Sequence, residues 1–366
     1  MCHFHLVSTT LPLPQAWGNP YIWGDDEGHT DIVVTGLDLV CRTVRAAAAD
    51  VLSVSELGRM ISDQVGRAVP HDGYVLVGMD PISGVGCFLT MENSYGPQVL
   101  SRMSIDFALG RSSPCRVLAH GVPDQRYTTQ LLNMTAEGFD SEIRIELTHG
   151  GRAWGVLVLL RERGHRLFSS TDIAHAECLA QPLALALKRF VAGTPVNSMR
   201  SDLPPGLIIV GPHDEIEVAT PTARDALRAF MPDRTLTEDE LFTSIWNITY
   251  RARRTGEPVV CRVLAPQGWI ALHAQLLDCT TPGEPGEVAI TTQPASAEVL
   301  LPAITAWYDI TARERTVIEQ ALEGMSAKQI ARHLDLSHHT VNDHFKAIYR
   351  KIGVTSREEL IARLCR

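Results

Sequence analysis

The chain has 366 residues, 45% of them hydrophobic and 20% charged, with a net charge of −9. Two or three globular domains are expected at this length, and disordered or fibrous classes are excluded by the composition. No run of 18 or more apolar residues occurs and the start MCHFHLVSTTLPLPQAWGNP has neither the basic opening nor the long apolar core of a secretion signal, so no membrane partner and a cytoplasmic location are expected.

The eight cysteines are scattered from Cys2 to Cys365 without a Cys-x-x-Cys pair, which fits reduced thiols better than a disulfide framework. The negative charge is uneven. From Asp309 to Arg366 ten Lys/Arg face eight Asp/Glu, a balance of +2, which leaves −11 for the rest of the chain. Three of the four lysines (Lys328, Lys346, Lys351) lie in that last sixth, against 29 arginines overall. The arginine excess reads as the composition bias of a GC-rich bacterial genome. The charge asymmetry points to a small contact module on a larger acidic body.

Residues 1–30 hold three prolines, Trp17, Tyr21 and Trp23 without periodicity and read as an irregular arm. VSELGRMISDQVGRAV then places Leu57, Ile61, Val65 and Val69 at helical spacing. The runs GYVLVGMD, GVGCFLTME and SRMSIDF read as strands between Gly, Pro and Asn turns. In SEIRIELTHGGRAWGVLVLLRER a His-Gly-Gly-Arg turn joins two β-rich runs, a strong hairpin signal. A helix is expected after FSSTD, running through Pro182. This stretch resembles the closing part of a GAF domain, and the resemblance covers residues 50–192 within a domain taken as 31–192.

GTPVNSMRSDLPPG, residues 193–206, reads as a linker. PPGLIIVGPHDEIEVATPTARDALRAFM gives strand, turn, strand and helix. A long helix near 238–255 and the runs VVCRVLAPQGWIALHAQLL and GEVAITTQPA follow. This order resembles a PAS-type domain over 207–293. Thr220 or Pro221 stands where that family commonly has asparagine. A second linker is expected over 294–308.

The last segment is the most informative. Thr311 and Glu314 have the spacing of a capping box, with Val317, Ile318 and Leu322 as a buried stripe. Ser326 caps a second helix whose inward residues are Ala327, Ile330, Ala331 and Leu334, and after a three-residue turn Ser337 caps a third. On that third helix Val341, Phe345, Ile348 and Ile352 share one side; His339, Asn342, Asp343, Lys346 and Arg350 share the other. Two short helices joined by a tight turn, the second with a polar outer face, make a helix-turn-helix. SREELIARLCR closes the bundle. The string ITARERTVIEQALEGMSAKQIARHLDLSHHTVNDHFKAIYRKIGVTSREEL closely resembles the LuxR-type DNA-binding domain, taken here as residues 309–366.

The fold class expected is therefore multidomain: an α+β GAF-like sensor domain, an α+β PAS-like domain and an all-α four-helix LuxR-type domain. The resemblance implies a DNA-binding transcriptional regulator that is not an enzyme, dimerises and uses no cofactor. Ser337 and Thr340 would meet phosphate, His339, Asn342, Asp343 and Lys346 would face the groove, and Lys328, Arg350 and Lys351 would reach the backbone. His344 either packs between helices or contacts DNA. Asp343 either pairs with Lys346 at i, i+3 or accepts from the N4 amine of a cytosine.

The two upstream domains either bind a small-molecule effector or mediate protein contacts and dimerisation. Tyr74, Cys87 and Trp154 are ligand-lining candidates, and Trp246 and Trp269 carry the same ambiguity between cavity and core. A Walker A loop is excluded because no lysine follows a glycine. The acidic residues of a phosphoacceptor receiver and the Trp/Tyr signature of acyl-homoserine-lactone receptors are not evident. MCHFH could bind a metal as a Cys/His cluster or be a frayed terminus. His71-Asp72 lacks the partner histidines of a metal phosphohydrolase and reads as a turn. Cys87, Cys115 and Cys178 are either oxidant sensors or small apolar residues.

Overall fold

The computed structural model describes residues 37–44, 46, 53–100, 103, 115–119, 134–193, 204–228, 237–265, 268–277 and 285–365. The N-terminal arm with its MCHFH cluster lies outside the described residues, as does most of the SRMSIDF run, of which Met103 alone is described and is helical.

Helix α1 (Val54–Gly66) starts at a capping box in which Ser53 and Glu56 satisfy each other's backbone amides at 3.2 and 3.1 Å. Its Leu57, Ile61 and Val65 are buried, as their four-residue spacing requires. Strands β1 (Gly73–Met79), β2 (Gly86–Glu92), β3 (Cys115–Ala119), β4 (Phe139–His149) and β5 (Arg152–Glu162) form an antiparallel sheet in the order β2-β1-β5-β4-β3. The expected hairpin joins β4 to β5. Gly150 and Gly151 both have positive φ, 61° and 72°, which side chains resist and which a tight two-residue turn of this hand demands. His71 and Asp72 do belong to a turn: His71 bonds Ser62 and the Val69 carbonyl, and Asp72 bonds His165.

Helix α2 (Ser170–Gly193) covers one face of this sheet and includes Pro182. At Gly155 of β5 an added Cβ would stand 2.5 Å from Leu187 of α2 and 2.6 Å from the Val77 carbonyl, so only glycine admits the helix this closely.

The second sheet contains β6 (Gly206–Val210), β7 (Ile216–Ala219), β8 (Val259–Ala265), β9 (Gly268–Leu276) and β10 (Val288–Pro294), in the order β7-β6-β10-β9-β8. Counted within each sheet, both follow the order second, first, fifth, fourth, third. Helix α3 (Pro221–Arg228) begins with proline, whose missing N–H is not needed there. Thr220 caps it through Ala223 (3.3 Å) and also accepts from Leu207 of β6 (3.0 Å).

Two expectations need correction. The long helix near 238–255 is two helices, α4 (Glu238–Thr243) and α5 (Trp246–Thr255). The break follows from Ser244 and Ile245: the Ser244 hydroxyl donates back to Leu241, and the Ile245 amide bonds Phe242, three residues back, instead of continuing the four-residue ladder. The segment 294–308 is not a linker, because Ser296 caps helix α6 (Ala297–Trp307) there. Four further helices between Ala312 and Cys365 form an all-α bundle, so the described residues comprise two α+β bodies and one helical body, the expected fold class.

One apolar core runs through all three bodies, from Val40 to Leu364. It is pinned by a buried ion pair. Asp80, in the β1–β2 turn, accepts from the Ile82 and Ser83 amides through Oδ1. Its Oδ2 accepts from the Arg262 amide at 3.0 Å and from Arg262 Nη1 at 2.8 Å. Arg262 Nε in turn donates to the Val299 carbonyl in α6. Side-chain exposure is 0% for Asp80 and 6% for Arg262, so each depends on the other for its charge. Removing one partner strands the other without solvent; Asp80→Ala is expected to lower unfolding stability by about 3–5 kcal/mol. Urea titration checks this, and an unchanged midpoint would refute it.

Candidate nucleic-acid interface

The C-terminal bundle is built from α7 (Ala312–Leu322), α8 (Ala327–His333), α9 (His338–Ile352) and α10 (Arg357–Cys365). Its helix starts are chemically marked. Thr311 with Glu314 and Ser326 with Gln329 form complete capping boxes, and the Ser337 hydroxyl accepts from the Thr340 amide at 3.0 Å. Asp335, with φ 53°, turns the chain between α8 and α9, and Gly353, with φ 75°, ends α9.

The two-sided character of α9 is realised in space. Val341, Phe345, Ile348 and Ile352 are buried against α7, α8 and α10. Opposite them His339 and Lys346 have side chains 84% and 72% exposed. Asp343 and Arg350 are also exposed, Asn342 is half-buried and bonds His338 at 3.3 Å, and His344 is half-buried. Lys328, in the first turn of α8, and Ser337, the N-cap of α9, are both exposed.

Asp343 does not stand alone on that surface. Its Oδ1 accepts from Lys346 Nζ at 3.1 Å, and His339 Nε2 lies 3.6 Å from Oδ2. The Lys346 hydrogen bond holds the Asp343 carboxyl below the usual aspartate range. The i, i+3 pairing therefore exists before any DNA arrives.

Lys351 departs from the expected set. Its ammonium donates to Glu314 at 2.6 Å and to the Asp309 carbonyl at 2.8 Å, turning toward the start of α7. It acts as a clamp between the end of α9 and the start of α7. Burial pushes the Glu314 carboxyl up, but hydrogen bonds from Lys351 and from Thr311 outweigh it, and its pKa lies below the ordinary glutamate value.

Of the two readings open for the three ligand-lining candidates, cavity or core, the packing corresponds to the core. Tyr74, Cys87 and Trp154 are each 3% exposed and pack in the core beneath α1 and α2. Trp269 is likewise core, stacked on Trp307 with centroids 4.7 Å apart. The polar chemistry lies on the other face of the first sheet. There Tyr95 donates to Glu142 Oε2 at 2.6 Å, and Arg144 reaches Glu142 Oε1 with Nε at 3.0 Å and Nη2 at 2.8 Å. All three are buried next to a cluster that includes Val75, Met103, Met134 and Phe139. Burial and the neighbouring Glu142 carboxylate push the Tyr95 phenol well up, so it remains a donor. The sequence carries a signal for this: Glu142, Arg144 and Glu146 alternate with Ile143, Ile145 and Leu147, which puts charge on one face of an interior strand.

Comparison with known proteins bears on the last body. Residues 309–364 match the family model described as "Bacterial regulatory proteins, luxR family". The monoamine regulon transcriptional regulator of Klebsiella aerogenes is 44% identical over 63 residues, 17% of this chain and 26% of that protein. An HTH-type transcriptional regulator of Mycobacterium bovis is 40% identical over 55 residues, 15% of this chain and 6% of that protein. The chain thus covers only a small part of the length of these relatives. Among solved structures, Escherichia coli SdiA aligns over 88% of this chain and 94% of its own at 14% identity, with a TM-score of 0.33. A GAF domain of a Coxiella burnetii phosphoenolpyruvate-protein phosphotransferase aligns over 43% of this chain and 96% of its own, at 15% identity and a TM-score of 0.27. No helix among the described residues is long and apolar enough to cross a membrane.

The depressed Glu314 pKa fixes a pH dependence. A carboxyl whose folded pKa is below its unfolded value stabilises the fold above the unfolded pKa, near 4.3 for glutamate, and loses that contribution as pH falls through the folded value. Protection of α7 amides from hydrogen exchange is expected to fall below about pH 4.3. Glu314→Gln should weaken protection at neutral pH and flatten this acid dependence; an unaltered acid profile would refute the role of the clamp.

Proposed function

We infer, from a C-terminal domain that belongs to the luxR family of bacterial regulatory proteins, that this chain is a sequence-specific DNA-binding transcriptional regulator. The observation that carries the reading is α9: an amphipathic helix capped by Ser337, anchored on one side, with its polar side uncovered. Its N-terminal amides, together with Ser337 and Thr340, suit phosphate oxygens. His339, Asn342, Asp343 and Lys346 lie where a recognition helix meets base edges in a major groove. Lys328 and Arg350 extend the contact to the backbone. A single helix-turn-helix reads few base pairs, so the binding form is a homodimer on two half-sites. That activity belongs in the bacterial cytoplasm, with the DNA, and needs no catalytic step.

The GAF-like and PAS-like bodies supply the control. A small-molecule effector is the favoured signal, and the Tyr95–Glu142–Arg144 group supports this, since buried hydrogen-bonding groups among apolar side chains are the means by which such sites orient a ligand. Thermal unfolding with a metabolite library tests it. An effector raises the melting temperature of the wild type and does so less for Glu142→Gln. Silence throughout the library with an intact fold would favour upstream bodies that serve only protein contacts.

Two substitutions test the DNA surface. Lys328→Ala is expected to weaken binding and to reduce the slope of log affinity against log salt by about 1, as loss of one phosphate neutralisation does. Asp343→Ala is expected to keep the selected base preference and to raise affinity, because it removes a carboxylate from the phosphate side and frees Lys346. Binding-site selection checks this. A changed preference would instead make Asp343 a base reader.

A further inference from the structure

We propose that Lys188 is the positioning residue that fixes the direction in which the DNA-binding domain leaves the rest of the chain. Lys188 sits on α2, near the end of the helix that closes the first sheet, and is 8% exposed. Its ammonium lies 2.6 Å from Asp309 Oδ2, 121 residues away, and 5.5 Å from the centre of the Trp154 ring. Asp309 is the joint before α7. Its backbone has a positive φ, 52°, a conformation that aspartate and asparagine tolerate better than most side chains. The Ile310 amide then bonds back to Thr305 at 2.9 Å, so the chain turns sharply there.

Asp309 is gripped from both sides. Lys188 holds its carboxylate, and Lys351 from α9 holds its carbonyl at 2.8 Å. Two of the four lysines in the chain therefore converge on one residue. A compact ammonium suits this joint better than the planar fork of arginine, which the chain uses almost everywhere else. A second contact runs alongside: the Tyr308 hydroxyl donates to the Ala192 carbonyl at the end of α2, and Arg363 of α10 reaches the same hydroxyl at 3.4 Å. The ties from the second sheet, Arg262 to Val299 and Trp269 to Trp307, hold α6, the helix that leads into this joint.

Lys188 also has a route back to the first sheet. Trp154, beneath its ammonium, belongs to β5 and donates to the His149 carbonyl at the β4–β5 hairpin. Strand β4 carries Glu142 and Arg144 on its opposite face. A shift of that hairpin thus reaches Asp309 through Trp154 and Lys188. The contact orients and does not mask, because Asp343, Lys346 and Arg350 remain exposed with the joint closed.

The test uses the full chain without DNA. Residual dipolar couplings are measured for backbone amides of the two sheets and of α7–α10 in the wild type, Lys188→Met, Asp309→Asn and the double variant. One alignment tensor is expected to fit all bodies of the wild type, whereas the α7–α10 couplings need their own tensor in all three variants. Exchange of the Ile310 amide is expected to quicken about tenfold, and equally, in the three. A single tensor throughout, or exchange effects that multiply in the double variant, would overturn the proposal. Should Lys188→Met unfold the core, seen as faster exchange in β4 and β5, Asp309→Asn decides alone, since it alters an exposed carboxylate. The half-site affinity arm rests on the DNA-binding reading. Affinity within twofold of wild type is expected, and a gain of tenfold or more would mean that α2 masks α9 and would overturn the positioning role. Failure of every form to bind DNA would refute the functional reading and leave the orientation result standing.

Discussion

The arrangement of the three bodies depends on a charge buried where charge is expensive. Asp80 and Arg262 have almost no solvent, and neither would persist there alone, since desolvating an isolated ion costs several kcal/mol. What makes the pair tenable is complete satisfaction. One carboxylate oxygen caps the β1–β2 turn, the other takes both the backbone and the side chain of Arg262, and the guanidinium finishes on a carbonyl of α6. Those bonds together reach three different elements. The pair therefore specifies a geometry: the edge of the first sheet, the edge strand of the second and the start of α6 must meet at one point. An apolar contact of equal area would tolerate sliding that this pair does not.

The same strand order appears in both sheets, yet their spare faces have diverged. On the first, the face away from α2 carries Tyr95, Glu142 and Arg144, fully enclosed. On the second, Arg262 and Trp269 take up the β8–β9 half by meeting α6. The β6–β7 half leaves Leu207 and Val218 exposed. One topology thus supplies a polar interior in one body and an assembly surface in the other. The difference lies in which residues occupy alternate strand positions, not in the path of the chain.

Legibility from sequence tracked how local the determining physics is. Capping boxes, the i, i+4 stripes of α1 and α9 and the Gly150-Gly151 turn are set within a few residues, and all stand where the sequence places them. The α4–α5 break was missed because a Ser hydroxyl bonding its own helix leaves the apolar periodicity intact. Helix α6 was taken for a linker because its buried side rests on Trp269 and Arg262, partners that no window of sequence brings together. Tyr74, Cys87 and Trp154 stayed open between pocket and core in the sequence because aromatic and thiol side chains suit both. The enclosing helices decide between the two. Lys351 shows the same limit at one residue: its spacing on α9 matches a backbone contact, but a carboxylate 37 positions earlier claims it.

Lysine placement ties these observations together. In a chain where arginine outnumbers lysine roughly sevenfold, a lysine marks a position where a planar, five-donor fork fits poorly. Lys188 and Lys351 each meet oxygen acceptors at the crowded joint before α7, where a point charge can satisfy two acceptors from different directions. Lys328 and Lys346 are exposed on α8 and α9, where Lys346 pairs with Asp343. The four lysines thus divide between two settings: two meet oxygen acceptors at the joint before α7, and two stand exposed on the helices α8 and α9.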